Sequence, residues 1–129
     1  MINPFHPGDM KIYKYVVAPQ DTAFFDSGQV HPVYATFSLG RDAEWTCRLF
    51  VLEMKEPDEE GIGTFLRVNH HAPALVGSEV VFEAKLKSVK KNEIICSFEA
   101  RVEGRLIASG ETGQKILKKS KPEQLFNNL

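Results

Sequence analysis

A chain of 129 residues, 43% of them hydrophobic, has the length and apolar content for one domain, residues 1–129, built on a single core. A formal charge of −1 leaves no basic footprint for nucleic acid, and no apolar run approaches the roughly 18 residues of a membrane span. The opening MINPFHPGDMK has neither the basic nor the apolar region of a secretory leader, so a cytoplasmic protein is expected.

Lys11 to Val17 (KIYKYVV) is rich in β-formers and reads as a first strand. Ala18 to Gln29 reads as a loop by its Pro, Asp, Ser and Gly content. It carries two adjacent aromatics, Phe24 and Phe25, placed to form a flap over a pocket or to tuck into the core edge.

His31 to Met54 then reads as one long helix behind an extended lead-in. Leu39, Ala43, Cys47, Phe50 and Met54 recur on one helical face, and Phe37, Trp45, Leu49, Val51 and Leu52 add apolar residues elsewhere. A helix apolar on most sides belongs inside a protein. Thr36 lies near its start, where a hydroxyl can cap an orphan N–H, and Pro57 lies just beyond its end. Cys47 in the helix and Cys96 further on read as buried reduced thiols.

The acidic KEPDEEGIG is expected to be a solvated connection. After Gly63 the period is two. Leu66, Val68 and His70 share one face of a strand, while His71 shares its parity with Arg67 and Asn69. Val80 to Leu86 and Ile94 to Val102 alternate likewise, joined by a turn at Lys90–Asn92. Glu103-Gly104 signals another hairpin, followed by a strand toward Leu117 and a polar tail over 118–129.

The order is therefore a strand, a long apolar helix and about four antiparallel strands, an α+β chain. Strands with one apolar face must cover something, and the helix is the available filling. An antiparallel sheet wrapped around a central helix is the hot-dog fold, here with its core over about 11–117. Its open sheet edge calls for pairing or protection, and a homodimer or higher oligomer supplies it.

Three residues stand where helix and sheet meet: Thr36, Glu44 and His70. Each has an ordinary explanation. Glu44 can pair with Arg41 or Arg48 at helical spacing, Thr36 can be an N-cap, and His70 can be a hydrogen-bonded core histidine.

Together, VYAT (Val33–Thr36), Glu44-Trp45, Gly61-Ile62-Gly63-Thr64 and VNHHAPALVG (Val68–Gly77) resemble the hot-dog thioesterases, specifically the fluoroacetyl-CoA thioesterase-like group. The resemblance runs from about Lys11 to Leu117. It implies hydrolysis of acyl-CoA thioesters of small to medium acyl groups, with Thr36, Glu44 and His70 as the catalytic set. Gly63, Phe24, Phe25 and His71 are the expected substrate-binding residues. CoA enters as part of the substrate, and no metal or further cofactor is expected.

The chain also departs from the family pattern. Ser27 and Val30 stand where the fluoroacetyl-selective enzyme carries lid phenylalanines. Ala74-Leu75 replaces the usual Thr-Pro, and SGETGQKIL replaces a His-Glu-Arg run. These differences bear on the acyl group rather than on the reaction.

The residue types fit that chemistry. A thioester carbonyl needs a nucleophile, a base, and donors for the developing oxyanion. His70 is the natural base, Glu44 can orient its ring, and Thr36 offers a hydroxyl to attack or to hold a water. Backbone N–H groups near Gly63 or at the helix start suit the oxyanion. Two other readings use the same fold: a hydratase or dehydratase, whose motif is absent, and a non-enzymatic acyl-thioester binding module.

Overall fold

The computed structural model describes residues 1–25 and 28–129, without the side chains of residues 24, 25, 29, 30 and 122. In chain order it contains β1 (Met10–Val16), β2 (Thr22–Phe25), β3 (Gly28–Tyr34), α1 (Thr36–Met54), β4 (Glu59–His70), β5 (Glu79–Lys90), β6 (Glu93–Val102), β7 (Arg105–Lys118) and α2 (Ser120–Asn127).

Helix α1 lies against an antiparallel sheet of five strands ordered β1-β5-β6-β7-β4. The alternation in the sequence makes this possible. Val80, Phe82, Ala84 and Leu86 of β5 and Ile94, Cys96, Phe98 and Ala100 of β6 all face inward and are buried. They meet Leu39, Ala43, Cys47, Phe50, Val51 and Met54 of α1 in one apolar cluster. Cys47 and Cys96 are both buried and free within it.

The β6–β7 turn places Glu103 at φ 49° and Gly104 at φ 77°, two successive left-handed residues, as a tight hairpin requires. At the other side of β7, Gly110 meets the backbone of β4. A Cβ there would lie 1.8 Å from the Arg67 carbonyl oxygen, so only glycine fits.

Three expectations change. The stretch read as a loop holds a 3-10 turn at Pro19–Asp21 and the hairpin of β2 and β3. Register shifts between Thr22 and Phe24 break the period-two pattern, which hides the strands from a reading of alternation. The acidic connection is also shorter than expected. Strand β4 already begins at Glu59, whose carboxylate is buried and accepts the Glu56 N–H at 2.9 Å. Finally, α1 is not enclosed on all sides: in the single chain Phe37 is 67% exposed, Trp45 41% and Leu52 40%.

The entry to α1 is fixed by a polar brace. The Ala35 N–H donates to the Asp21 carbonyl (2.9 Å) and the Tyr34 N–H to the Ala74 carbonyl (2.8 Å). The Asp21 carboxylate accepts from the Tyr15 hydroxyl (2.6 Å), the Ala18 N–H (2.8 Å) and Arg41 (3.0 Å). Arg41 also binds Asp42, which accepts the Tyr34 hydroxyl as well. Burial alone would raise the Asp21 carboxyl, yet these donors hold it below the usual carboxylate range.

Candidate active site

The side chain of Thr36 is free for chemistry because the helix does not use it. Ala35 is the N-cap of α1, with no side-chain cap, and Thr36 is the first helical residue. The capping role open to Thr36 in the sequence is thus not taken up. Its Oγ1 instead lies 2.9 Å from His70 Nδ1. The parity of β4 accounts for this: a Cβ on Gly40 of α1 would meet Leu66 and Val68, so that face of the strand looks onto the helix, and His70 continues it.

His70 is half-buried, and its Nε2 is buried with no hydrogen-bond partner among the described residues. Burial pulls its pKa below the ordinary histidine value. The Ala72 backbone acts in the opposite direction, and His71 lowers it again. The ring is accordingly neutral at pH 7 and able to take a proton.

Thr36 stands where two cavities meet. One, of about 330 Å³, is lined by Val33, Thr36, His70, His71, Ala72 and Pro73. The other, of about 490 Å³, is lined by Ala23, Ala35, Thr36, Phe37, Gly40, Leu66 and Val68 and is apolar apart from the Thr36 hydroxyl. A carbonyl placed at Thr36 would have the His70 imidazole on one side and an apolar chamber on the other.

Glu44 is elsewhere. Eight residues along α1 from Thr36, it stands roughly 12 Å further along the helix axis. There it lines a cavity of about 260 Å³ with Gly63, Thr64 and Phe65. Among the described residues it has no ion pair. Arg41 is engaged with Asp21 and Asp42, and Arg48 with Glu60 at 2.6 Å, so neither helical neighbour pairs with it. Gly63 abuts Glu44, and a Cβ there would lie 2.8 Å from its carboxylate oxygen.

His71 faces away from the helix, with Nε2 2.8 Å from Ser109 Oγ, although it also borders the His70 cavity. The backbones of Phe24 and Phe25 belong to β2, but their side chains, like that of Val30 and all of Ser27, lie outside the described residues. Reading the sequence alone passed over Gly40, Ala35 and Ala23 as cavity walls. Small residues carry no chemical signature, although a glycine inside a helix is itself a flag. No cluster able to hold a metal occurs among the described residues, and no helix of the structure is long and apolar enough to cross a membrane.

Comparison with known proteins places this chain in a family. The model of the fluoroacetyl-CoA-specific thioesterase (FlK) family matches residues 17–120. A hypothetical protein of Thermus thermophilus, described as a thioesterase superfamily member, is 37% identical with a TM-score of 0.93, over 98% of this chain and 94% of that one. The fluoroacetyl-CoA thioesterase FlK shares the fold at 23% identity and a TM-score of 0.89, over 98% of each chain. So does a hot-dog-like protein of Thermanaerovibrio acidaminovorans, at 16% identity and a TM-score of 0.86, over 98% of this chain and 92% of that one. One variant of FlK has been solved in complex with acetyl-CoA, and another in complex with fluoroacetate and CoA. No curated protein matches the sequence. The chain belongs to the fluoroacetyl-CoA-specific thioesterase family and is a hot-dog acyl-CoA thioesterase, a thioester hydrolase.

Proposed function

We propose that this thioesterase hydrolyses acyl-CoA thioesters of small to medium acyl groups as a homodimer. His70 and Thr36 of one subunit would work with Glu44 of the partner subunit. The observation that carries the reading is the 2.9 Å contact between Thr36 Oγ1 and His70 Nδ1 at the mouth of an apolar chamber.

Neutral His70 accepts the proton of the nucleophile held at Thr36, either the hydroxyl itself or a water hydrogen-bonded to it. The oxygen attacks the thioester carbon, and the first turn of α1 supplies unsatisfied N–H groups for the oxyanion. Collapse breaks the C–S bond, and the sulfur leaves with the proton from His70 as free CoA. On the hydroxyl route a water then repeats the cycle to release the acid. Rapid quenching and mass measurement separates the routes, since only the first leaves an acyl group on Thr36.

Support for the dimer comes from β4. It pairs with β7 on one side only, and its other edge is free among the described residues. Beside that edge Phe65 is 44% exposed and Leu66 42%, and Phe37 of α1, which lines the same cavity as Leu66, is 67% exposed. A free edge flanked by apolar side chains invites pairing with a second copy. Were two β4 strands to pair antiparallel, centred between Leu66 and Arg67, His70 would lie opposite the partner's Gly63. The partner's Glu44 stands against that glycine, so its carboxylate would reach the unpartnered Nε2 of His70 and hold the ring with Nδ1 toward Thr36.

Release of free thiol from a panel of acyl-CoAs tests the activity, and subunit mixing tests the shared site. Co-expressed Glu44→Gln and His70→Ala chains form heterodimers with one intact site, restoring up to about a quarter of wild-type rate. Thr36→Ala with His70→Ala restores none, because both residues belong to the same half-site. Recovery in neither mixture, with each variant folded and dimeric, would overturn the composite site.

A further inference from the structure

We infer that Gly40 sets the length of the acyl group, and that the substrates are apolar acyl chains without charged substituents and longer than acetyl. The inference rests on the thioesterase reading of Thr36 and His70.

A glycine inside a helix needs a reason, because only proline is less favourable there. The backbone supplies none at Gly40, since its φ is not in the left-handed region and it is neither at a turn nor at a helix end. The core supplies none either. A Cβ on Gly40 would meet Leu66 Cδ2 at 3.0 Å and Val68 Cγ2 at 3.6 Å, both ends of side chains rather than backbone. Leu66 Cδ2 is the far end of a flexible side chain and need give by only a few tenths of an ångström for an alanine to be accommodated.

What Gly40 does provide is space. It is one turn along α1 from Thr36, and both line the apolar chamber. The chamber's other wall residues are Ala23, Ala35, Phe37, Leu66 and Val68. Three of its seven residues thus have at most a methyl side chain, and none carries a charge or an amide. An occupant reaching inward from a carbonyl at Thr36 passes over Gly40 and meets only apolar side chains. A carboxylate or hydroxyl on that chain would lose its water and find no partner. At about 490 Å³ the chamber far exceeds what an acetyl methyl fills.

The experiment compares kcat/KM for acetyl-, butyryl-, hexanoyl- and succinyl-CoA in the wild type, Gly40→Ala and Gly40→Val. In an apolar pocket one methylene is worth roughly 10-fold or more. The wild type should therefore favour hexanoyl- over acetyl-CoA by at least about 10-fold, and butyryl- over succinyl-CoA by as much. Gly40→Val should lower the hexanoyl-to-acetyl ratio roughly 10-fold or more, and Gly40→Ala by less. A ratio taken within one preparation does not depend on how much of the variant is folded, and Gly40→Ala carries the test should Gly40→Val fail to fold. A wild type that prefers acetyl- or succinyl-CoA, or a ratio unmoved by the substitutions, overturns the role of Gly40 and leaves the hydrolase intact. Failure of the wild type to release CoA from any of the four overturns the thioesterase reading beneath it.

Discussion

In the proposed mechanism the Thr36 hydroxyl and the His70 ring divide the chemistry between them, and their surroundings set how each should respond to mutation. His70→Ala removes the base in contact with Thr36 and should lower kcat/KM by roughly 10²–10⁴-fold. His71→Ala should act more weakly, since that ring is turned outward to Ser109. Thr36→Ala should cut turnover while leaving the melting temperature nearly unchanged, because the helix draws no cap from that side chain. Calorimetry beside steady-state kinetics checks both halves of that statement. The pH profile has a definite sign. Burial lowers the His70 pKa and the neutral ring is the active form in the proposed mechanism, so kcat/KM should be flat above pH 7 and fall as pH drops through a value below 6.5. An acid limb centred above 6.5 would assign the titration to another group. By the resemblance, Ser27 and Val30, which lack aromatic bulk, stand in for the lid phenylalanines of the selective enzyme, so no strong kinetic preference for fluoroacetyl- over acetyl-CoA is expected. Competition between the two substrates measures it directly.

At the scale of elements, α1 was legible because its apolar residues recur at helical spacing and a proline follows its end. The strands after Gly63 were legible because their inward residues alternate without interruption from Val80 to Leu86 and from Ile94 to Val102. The β2–β3 hairpin was not, since its strands are short and its register slips twice. The brace at the start of α1 was equally hidden. Arg41 appeared as a helical partner for Glu44, whereas it reaches Asp21, twenty residues earlier in the chain. Only the folded backbone brings those two together. Asp21→Asn keeps the shape and loses the charge that three donors converge on. It should cost about 1.5–3 kcal/mol, read as a melting temperature lower by roughly 5–10 °C. The folded-state pKa of Asp21 is depressed, so this stability is fully present above the unfolded value near 3.8 and is lost as pH falls through the lower folded value. The wild-type melting temperature should therefore drop more steeply below about pH 4 than that of Asp21→Asn.

For the whole molecule, one chain sets Thr36 with His70 and Glu44 with Gly63 at separate places along β4. The motif intervals placed all three polar residues in one site, but intervals along a chain do not say which copy of the chain supplies each member. Strand order was also beyond reach of the sequence. Nothing in the composition of β1 tells that it flanks β5, or that β4 lies beyond β7 at the far edge. If the dimer forms along β4, Leu66→Lys or Leu66→Glu puts two like charges at its centre. Either variant should shift sedimentation toward monomer and take the hydrolase activity with it.

The strand order also dictates the sequence of events during synthesis. Helix α1 is complete at Met54, when only β1 of the five strands of the sheet that covers its apolar face has been made, and β7 ends at Lys118. At translation rates of 5–20 residues per second, that face waits roughly 3–13 s for its cover. Over that interval the nascent chain displays an amphipathic helix with no sheet to receive it. Chains stalled on the ribosome after Met54 should therefore crosslink to hydrophobic-binding chaperones, and chains stalled well beyond Lys118 should not.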